Sequence, residues 1–317
     1  MRSPSRVRMW RGAALMAVLW LIAILSVVCI VTLRLVAFDI DVASATIHGA
    51  RARQLAEMGV AVGSHPMVKR HDPLLVMQRQ PEGAAEGYQE GYQVHLTSEG
   101  ARFNINAIVL RRDTDLLHAI FAHWGLEFQE ASALIDALID WADADDQRSL
   151  LGAEKEDYDK AGRLNQPFNR PFYDLDEVRL VRGMDRVEAL RPDWRRWFTL
   201  WSGGQLDLND ADPEFVAVAA ECPIEQASLV FQAVCGRDGI RDTEDDVPYQ
   251  NPAPALELLG INPNLPSGLG DRFTVNDPTV RIESIGQAGA AKRKITVILR
   301  NRTGKPALLE RLEEIIP

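Results

Sequence analysis

Residues 13–33 read AALMAVLWLIAILSVVCIVTL. Whether this run is discarded, left as a plain anchor or kept as part of a longer helix decides the fold. It carries no charge, and only Ser26 and Thr32 are polar. As a helix it is about 31 Å long, the thickness of a bilayer's hydrocarbon core. A secretory signal has a shorter apolar core. Ala43-Ser44-Ala45 imitates a signal-peptidase site but lies well past the run, behind Asp39 and Asp41. The run is therefore expected to remain in the mature chain as a membrane span.

Arg2, Arg6, Arg8 and Arg11 precede the span, and Arg34, Asp39 and Asp41 follow it. The positive-inside rule then expects a single-pass inner-membrane protein with its N-terminus in the cytoplasm and everything after Leu35 in the periplasm. The helical pattern does not stop at the membrane. Leu35, Phe38, Val42, Ala45, Leu55, Met58 and Val62 recur at three- and four-residue steps among charged residues, and no proline interrupts residues 13–64. One helix of some fifty residues is expected, apolar all round at first and amphipathic afterwards.

A short basic leader ending in Arg11-Gly12, then an apolar helix running into a globular body, resembles type IV pilins and the pseudopilins of type II secretion. The resemblance implies that a prepilin peptidase cuts after Gly12 and that Ala13 becomes a methylated N-terminus. Most pilins have glutamate as the fifth residue after the cut, where this chain has Ala17. Among pseudopilins that absence is typical of the minor pseudopilin called general secretion pathway protein K. A carboxylate with no partner in lipid is costly, so a subunit lacking such a partner loses nothing by omitting it.

The 317 residues are 25% charged and 46% hydrophobic, a globular balance with a formal charge of -10. That charge argues against affinity for nucleic acid or anionic lipid, and cutting after Gly12 removes four arginines and leaves the remainder more acidic still. Three cysteines make no disulfide framework. The stretch between Cys222 and Cys235 reads as a helix, which holds their Cα atoms about 19 Å apart, beyond disulfide reach.

In the body, GYQVHLTSEGARFNINAI alternates on both sides of Ser98-Glu99-Gly100 and predicts a hairpin. TVRIESIGQAGAAKRKITVILRN predicts a second, with Val280, Ile282 and Ile285 on one arm and Ile295, Val297 and Leu299 on the other. The sequence between them is helical. Leu134, Leu138 and Trp141 share a face, Asp113 and Asp115 stand at cap positions, and Asp174 caps a further helix. A weak repeat links FNINA (103–107), ahead of one helix pair, to LDLNDA (206–211), ahead of another. Together with LIDALIDWADADD, GAEKEDY and NRPFYDLDEVRLVRGM, these motifs are similar to those of protein K.

The fold expected is α+β: a pilin-like long N-terminal helix plus antiparallel sheet, interrupted by a large inserted α-helical domain with two small helical repeats. The parts are a leader at 1–12, the helix at 13–64, β regions at 65–107 and 266–303, the insert at 108–265 and a C-terminal tail at 304–317.

Two acidic groups invite a metal. CGRDGIRDTEDDV places Asp238, Asp242, Asp245 and Asp246 close together, with Gly239 permitting a tight turn. Calcium suits so many carboxylates outside the cytoplasm, and related pseudopilins bind it. Asp140, Asp143, Asp145 and Asp146, followed by Glu154, Glu156 and Asp157, form a second group that reads as a further calcium position or as a polar cap. The LNDA segments look like helix-hairpin-helix units but lack the Gly-x-Gly turn and bring glutamates instead, so no DNA is expected. No G-x-S-x-G, H-E-x-x-H or P-loop pattern points to an enzyme. Trp194, Trp197 and Trp201 step along one helical face and read as core.

The function expected from the resemblance is that of a minor pseudopilin at the pseudopilus tip, with other minor pseudopilins and prepilin peptidase as partners. The rival reading is an uncut bitopic protein whose periplasmic domain binds a ligand or hydrolyses a substrate.

Overall fold

A computed structural model describes residues 7–83, 87–263 and 268–316, with side chains from Ala14 onward. Helix α1 runs without a break from Val7 to Ser64, 58 residues. Everything from Ala14 to Ala43 is exposed. From His48 onward one face turns inward, with Gly49, Ala52, Leu55, Ala56, Gly59 and Gly63 buried.

That face lies on a five-stranded antiparallel sheet ordered β1-β2-β7-β8-β9. Its strands are β1 (Val76–Arg79), β2 (Glu90–Ser98), β7 (Thr279–Ala288), β8 (Ala291–Arg300) and β9 (Ala307–Ile316). Leu55 packs with Val94, Leu96, Ile282, Ile295 and Val297. Alternation puts these strand residues on one face, and Ile282 stands directly opposite Leu96 and Val297 in the ladders. The helix sits close because small residues meet across the seam: a Cβ on Gly286 would fall 2.0 Å from the Ala52 carbonyl oxygen.

Polar contacts fix the helix along its edges. Glu90 accepts from Arg51 Nε at 2.9 Å and from Arg79 Nε at 2.7 Å, and the Arg51 guanidinium, assisted by Arg79, holds the Glu90 carboxyl down to about 2. At the helix end Arg302 donates to the carbonyls of Gly63 (2.8 Å), His65 (3.0 Å) and Val68 (2.9 Å). These oxygens lie where the intrahelical ladder runs out, so the guanidinium supplies donors that the backbone lacks. Arg302→Ala is expected to cost about 1–2 kcal/mol, read as a lower unfolding temperature of the detergent-solubilised chain. Arg302→Lys, a point charge without the planar fork, recovers only part of it.

The insert leaves the sheet after Ser98 and returns at Thr279, wider than the 108–265 expected. It holds helices α2 (Ile105–Arg111), α3 (Thr114–His123), α4 (Phe128–Ala142), α5 (Lys155–Lys160), α6 (Leu175–Val178), α7 (Met184–Leu190), α8 (Pro213–Ala220), α9 (Ile224–Val234) and α10 (Ala253–Leu258). Two of the three expected caps are in place, Asp113 accepting from Leu116 N–H and Asp174 from Asp176 N–H, while Asp115 falls inside the first turn of α3. The two similar motifs occupy similar positions. Phe103–Asn104 (β3) pairs in parallel with Phe198–Thr199 (β4), and Leu206–Asp207 (β5) pairs in parallel with Phe273–Thr274 (β6). The first precedes α2 and the α3–α4 pair, the second the α8–α9 pair.

The structure departs from the sequence reading in three further places. The hairpin expected at Ser98-Glu99-Gly100 does not form. Glu99, fully buried, accepts from Arg281 Nε at 2.7 Å and Nη2 at 3.0 Å and from the Thr199 hydroxyl. This anchor turns the chain out of the sheet toward β4. Within the tail expected at 304–317, Ala307–Ile316 form strand β9, where pairing with β8 overrides the helix-favouring Leu and Glu content. The tryptophans do not ride one helix. Trp194 and Trp197 sit at a single 3₁₀ turn and are buried, and Trp124 meets Trp197 edge-on at 5.3 Å between ring centres. Trp201 is half-buried and donates its indole N–H to Glu310 on β9 at 2.7 Å. Cys222 and Cys235 are free, one on each side of α9.

Candidate functional site

Three regions carry chemistry beyond packing. The first is the surface of α1. Among the described residues it is the one helix long and apolar enough to cross a membrane, and none of its most apolar stretch is buried by the chain itself. Within that stretch the Thr32 hydroxyl donates to the Val28 carbonyl at 2.8 Å, so this polar group needs no partner from outside. Beyond the span Leu35, Phe38, Ile40, Val42 and Ile47 remain exposed, interspersed with Asp39 and Asp41. Gly12 and Ala13, the expected processing junction, lie near the start of α1, and their side chains fall outside the described ones.

The second region is the loop of Asp238, Asp242, Asp245 and Asp246. Three of the four carboxylates, those of Asp238, Asp245 and Asp246, are occupied by the loop's own donors. Asp245 accepts from Arg237 N–H at 2.7 Å and from the Thr243 hydroxyl at 2.7 Å, and the hydroxyl holds its carboxyl below the usual range. Asp238 accepts from Ile240 N–H, and Asp246 from Asp242 N–H, both at 2.8 Å. Asp242 turns the other way, 3.9 Å from His95 Nδ1. With Asp246 it lines a cleft of about 460 Å³ that also contains Asp207, Arg70 and Arg241. Burial pushes the Asp242 carboxyl up, while His95 and Arg70 pull it back. Short-range turn bonding has thus pointed the four carboxylates in different directions.

The third region lies at the C-terminal end of α4. Asp140 is fully buried and accepts from Ser149 N–H at 3.1 Å through both oxygens. The 149–152 segment wraps this carboxylate so closely that a Cβ on Gly152 would stand 1.9 Å from Asp140 Oδ2. Glu154, also buried, faces the first backbone N–H groups of α5 as its cap, but neither carboxylate oxygen reaches good hydrogen-bond geometry, and Asp143 Oδ1 is likewise unpartnered. Asn169 donates its amide to the Asp145 carbonyl at 3.1 Å and to Asp146 Oδ1 at 2.9 Å, leaving its own Oδ1 buried and unpartnered. Gln166 Oε1, three residues earlier, is in the same condition.

Burial pushes the carboxyls of Asp140, Asp143 and Glu154 all upward. Glu154 reaches about 7, because Asp140 and Asp143 repel its charge in addition. Asp157, by contrast, accepts the Glu154 backbone N–H at 3.2 Å, and that bond lowers its carboxyl. Among the described residues no three acidic, histidine or cysteine side chains converge at metal-ligand distance. What the α4 end does leave is buried carboxylate oxygens of Asp143 and Glu154 without a donor, hard oxygens of the type calcium takes. Neutral Gln166 and Asn169 were invisible to a reading that looked for acidic residues. Their signal is a buried carbonyl with no donor, which appears only in the fold.

Residues 101–193 match the family model described as type II secretion system (T2SS), protein K. The chain is 27% identical over 163 residues to type II secretion system protein K of Pseudomonas aeruginosa, covering 48% of this chain and 47% of that protein. It is 35% identical over 99 residues to type II secretion system protein K of Klebsiella pneumoniae, covering 28% and 30%. The matched parts thus span about half the length of these curated relatives or less. A chain of the GspK-GspI-GspJ complex from the enterotoxigenic Escherichia coli type 2 secretion system superposes with a TM-score of 0.57 at 16% identity, covering 88% of this chain and 99% of that one, a likeness of fold.

Proposed function

We propose that the chain is a member of the type II secretion system protein K family and acts as a minor pseudopilin at the tip of the pseudopilus. There it assembles with other minor pseudopilins to initiate the fibre and support protein export across the outer membrane. The observation that carries this reading is the contrast along α1. One face of its C-terminal part is covered by a sheet, whereas Ala14 to Ala43 stays uncovered on every side while rich in apolar residues. In lipid such a helix gains by packing against other helices. The insert adds a second, larger core to the head beside that of the helix and sheet, bulk that suits a terminal position with nothing stacked above it.

The N-terminus lies in the cytoplasm and the head in the periplasm, as the flanking charges favour. Prepilin peptidase, its partner in maturation, removes residues 1–12 after Gly12 and leaves Ala13 as the methylated start. Calcium is the cofactor. Its place is the α4 end, where Asp143 and Glu154 offer unpartnered carboxylate oxygens, rather than the Asp238, Asp242, Asp245 and Asp246 loop, whose oxygens are largely taken.

Mass spectrometry of the chain from cells with and without prepilin peptidase tests the processing. A mature start at methylated Ala13 is expected only when the peptidase is present. An intact leader in both strains removes the pseudopilin reading.

A further inference from the structure

The body, made of α1 and the sheet, and the insert keep separate cores. The buried apolar residues of the larger core all come from residues 103–275, and those of the smaller from residues 52–96 and 282–299. The chain crosses between the two parts at Ser98–Glu99 and at Pro278–Thr279, and the bonds that span the junction are polar. On one side Arg281 donates to Glu99, the Trp201 carbonyl accepts from the Thr279 hydroxyl at 3.2 Å and from Arg300 at 2.9 Å, and the Trp201 indole donates to Glu310. Here the ion pair is nearly closed to water, with Arg281 13% and Glu99 0% exposed.

On the other side the two parts stand apart across the cleft of about 460 Å³, walled by Arg70, Ser98 and Val280 of the body and by Asp207, Asn209 and Asp242 of the insert. It is bridged by Arg70, paired with the same Asp210 that accepts the Ser98 N–H, and by His95, 3.9 Å from Asp242. Arg70 and His95 stay 38% and 58% exposed. The junction is thus firm and dry along one side and wet along the other.

The charge is as unequal as the packing. Residues 99–278 hold 17 lysines and arginines against 34 aspartates and glutamates, a formal charge of -17, whereas the rest of the chain after Gly12 holds 14 against 11, a charge of +3. Arg70 and Arg281 of the body each meet a carboxylate of the insert, as that difference favours. Such attraction reaches about 30 Å in 0.01 M salt and about 3 Å in 1 M. The bridges over the cleft are open to this screening, and the Arg281–Glu99 pair is shielded from it. A polar junction between separate cores leaves relative rotation as the default. We propose that the insert is a hinged lobe that turns on the body about Glu99 and Thr279, is held shut across the cleft by Arg70 and Asp210, and is opened by ionic strength. Opening re-aims the insert relative to α1 and uncovers Asp207 and Asp242. The inference concerns the chain by itself and does not rest on the minor-pseudopilin reading.

Nitroxide labels at Gln93→Cys on β2 and Gln232→Cys on α9, both exposed positions, report the separation of the two parts by pulsed electron spin resonance of the detergent-solubilised full chain. Cys29→Ser and Cys222→Ser remove the accessible native thiols, and Cys235 is buried. Labels at Glu130→Cys on α4 and Gln232→Cys, both in the insert, form the control pair. Raising the salt from about 0.01 M to about 1 M is expected to lengthen the separation across the cleft by about 5 Å or more, what a rotation of about 15° gives about 20 Å from a pivot, and to leave the control pair unchanged. Arg70→Gln is expected to show the longer separation already at low salt. A separation that is the same at both salt concentrations and in Arg70→Gln overturns the hinge, whatever the processing experiment returns. One that lengthens in Arg70→Gln but ignores salt overturns the ionic control. A lengthening shared by the control pair means that the insert loosens internally, which overturns the hinge equally. Should Arg70→Gln fail to fold, the salt series on the chain with Arg70 in place decides alone.

Discussion

Gly286→Val is expected to unseat α1 from the sheet. The first atom of any side chain at this position would lie 2.0 Å from the Ala52 carbonyl oxygen and 2.4 Å from the Ala56 nitrogen. Both are backbone atoms of a continuous helix, so neither can swing aside as a flexible side chain would. The helix would have to lift along its length, opening the contacts of Leu55 with Ile282 and Ile295. Overpacking of a tight core costs about 1–3 kcal/mol when side chains can adjust; with backbone on both sides the upper end is the floor, so at least about 3 kcal/mol is expected. For a chain of this size that lowers the unfolding temperature by roughly 5 °C. Gly304→Ala is the control: its Cβ would meet nothing nearer than 3.9 Å, and its melting curve is expected to overlay the wild type. A Gly286→Val protein that melts with the wild type would mean that the helix does not lie on this sheet as described.

The same seam shows what a sequence discloses and what it withholds. Residues 13–64 declared their helix through an unbroken apolar run, the 3.6-residue period that follows it and the absence of proline. The β7–β8 hairpin declared itself through period-two alternation. These are local signals, and local signals survive being read one chain at a time. Strand β9 did not, because Leu308, Leu309, Glu310 and Leu312 favour helix and only the ladder with β8 makes them extended. The turn at Glu99 was hidden for a related reason: its direction is set by Arg281 and Thr199, each a hundred residues or more away. Of the two acidic groups, composition drew attention to the denser one at 238–246. Burial separates them. The loop carboxylates find N–H and hydroxyl donors within a few residues, whereas Asp143 and Glu154 are enclosed by α4, α5 and the segment bearing Asn169 with donors too few to satisfy them.

That shortage gives the α4 end a pH dependence whose sign is fixed. Glu154 has an ordinary value of 4.5 and reaches about 7 in the folded chain, so between those limits the folded protein binds more protons than the unfolded one. Stability therefore falls as pH rises from 4.5 to 7 and levels off above, a loss of order 3 kcal/mol from this group. Asp140 and Asp143 shift in the same direction. The charges facing the group are Asp140 and Asp143 on α4, Asp146 after it and Asp157 on α5; Arg112 lies 3.4 Å from Asp143, and Arg148 lies 3.5 Å from Asp157. The nearby cations thus serve other carboxylates, which leaves Glu154 without a counterion. With chelator, unfolding of the detergent-solubilised chain is expected to show this decline. Calcium at a hundred times its dissociation constant should restore about 2.7 kcal/mol at neutral pH, because the ion stands in for the missing proton and binds only the folded arrangement. Glu154→Gln, an isostere with no charge to repel, should flatten the pH profile and abolish most of the calcium response. Asp242→Ala with Asp245→Ala should leave both intact. The reverse pattern, a calcium response lost in the loop variant and kept in Glu154→Gln, would put the ion in the 238–246 loop. An acid-to-neutral profile that is flat in the wild type would mean that the Glu154 carboxylate has found a donor.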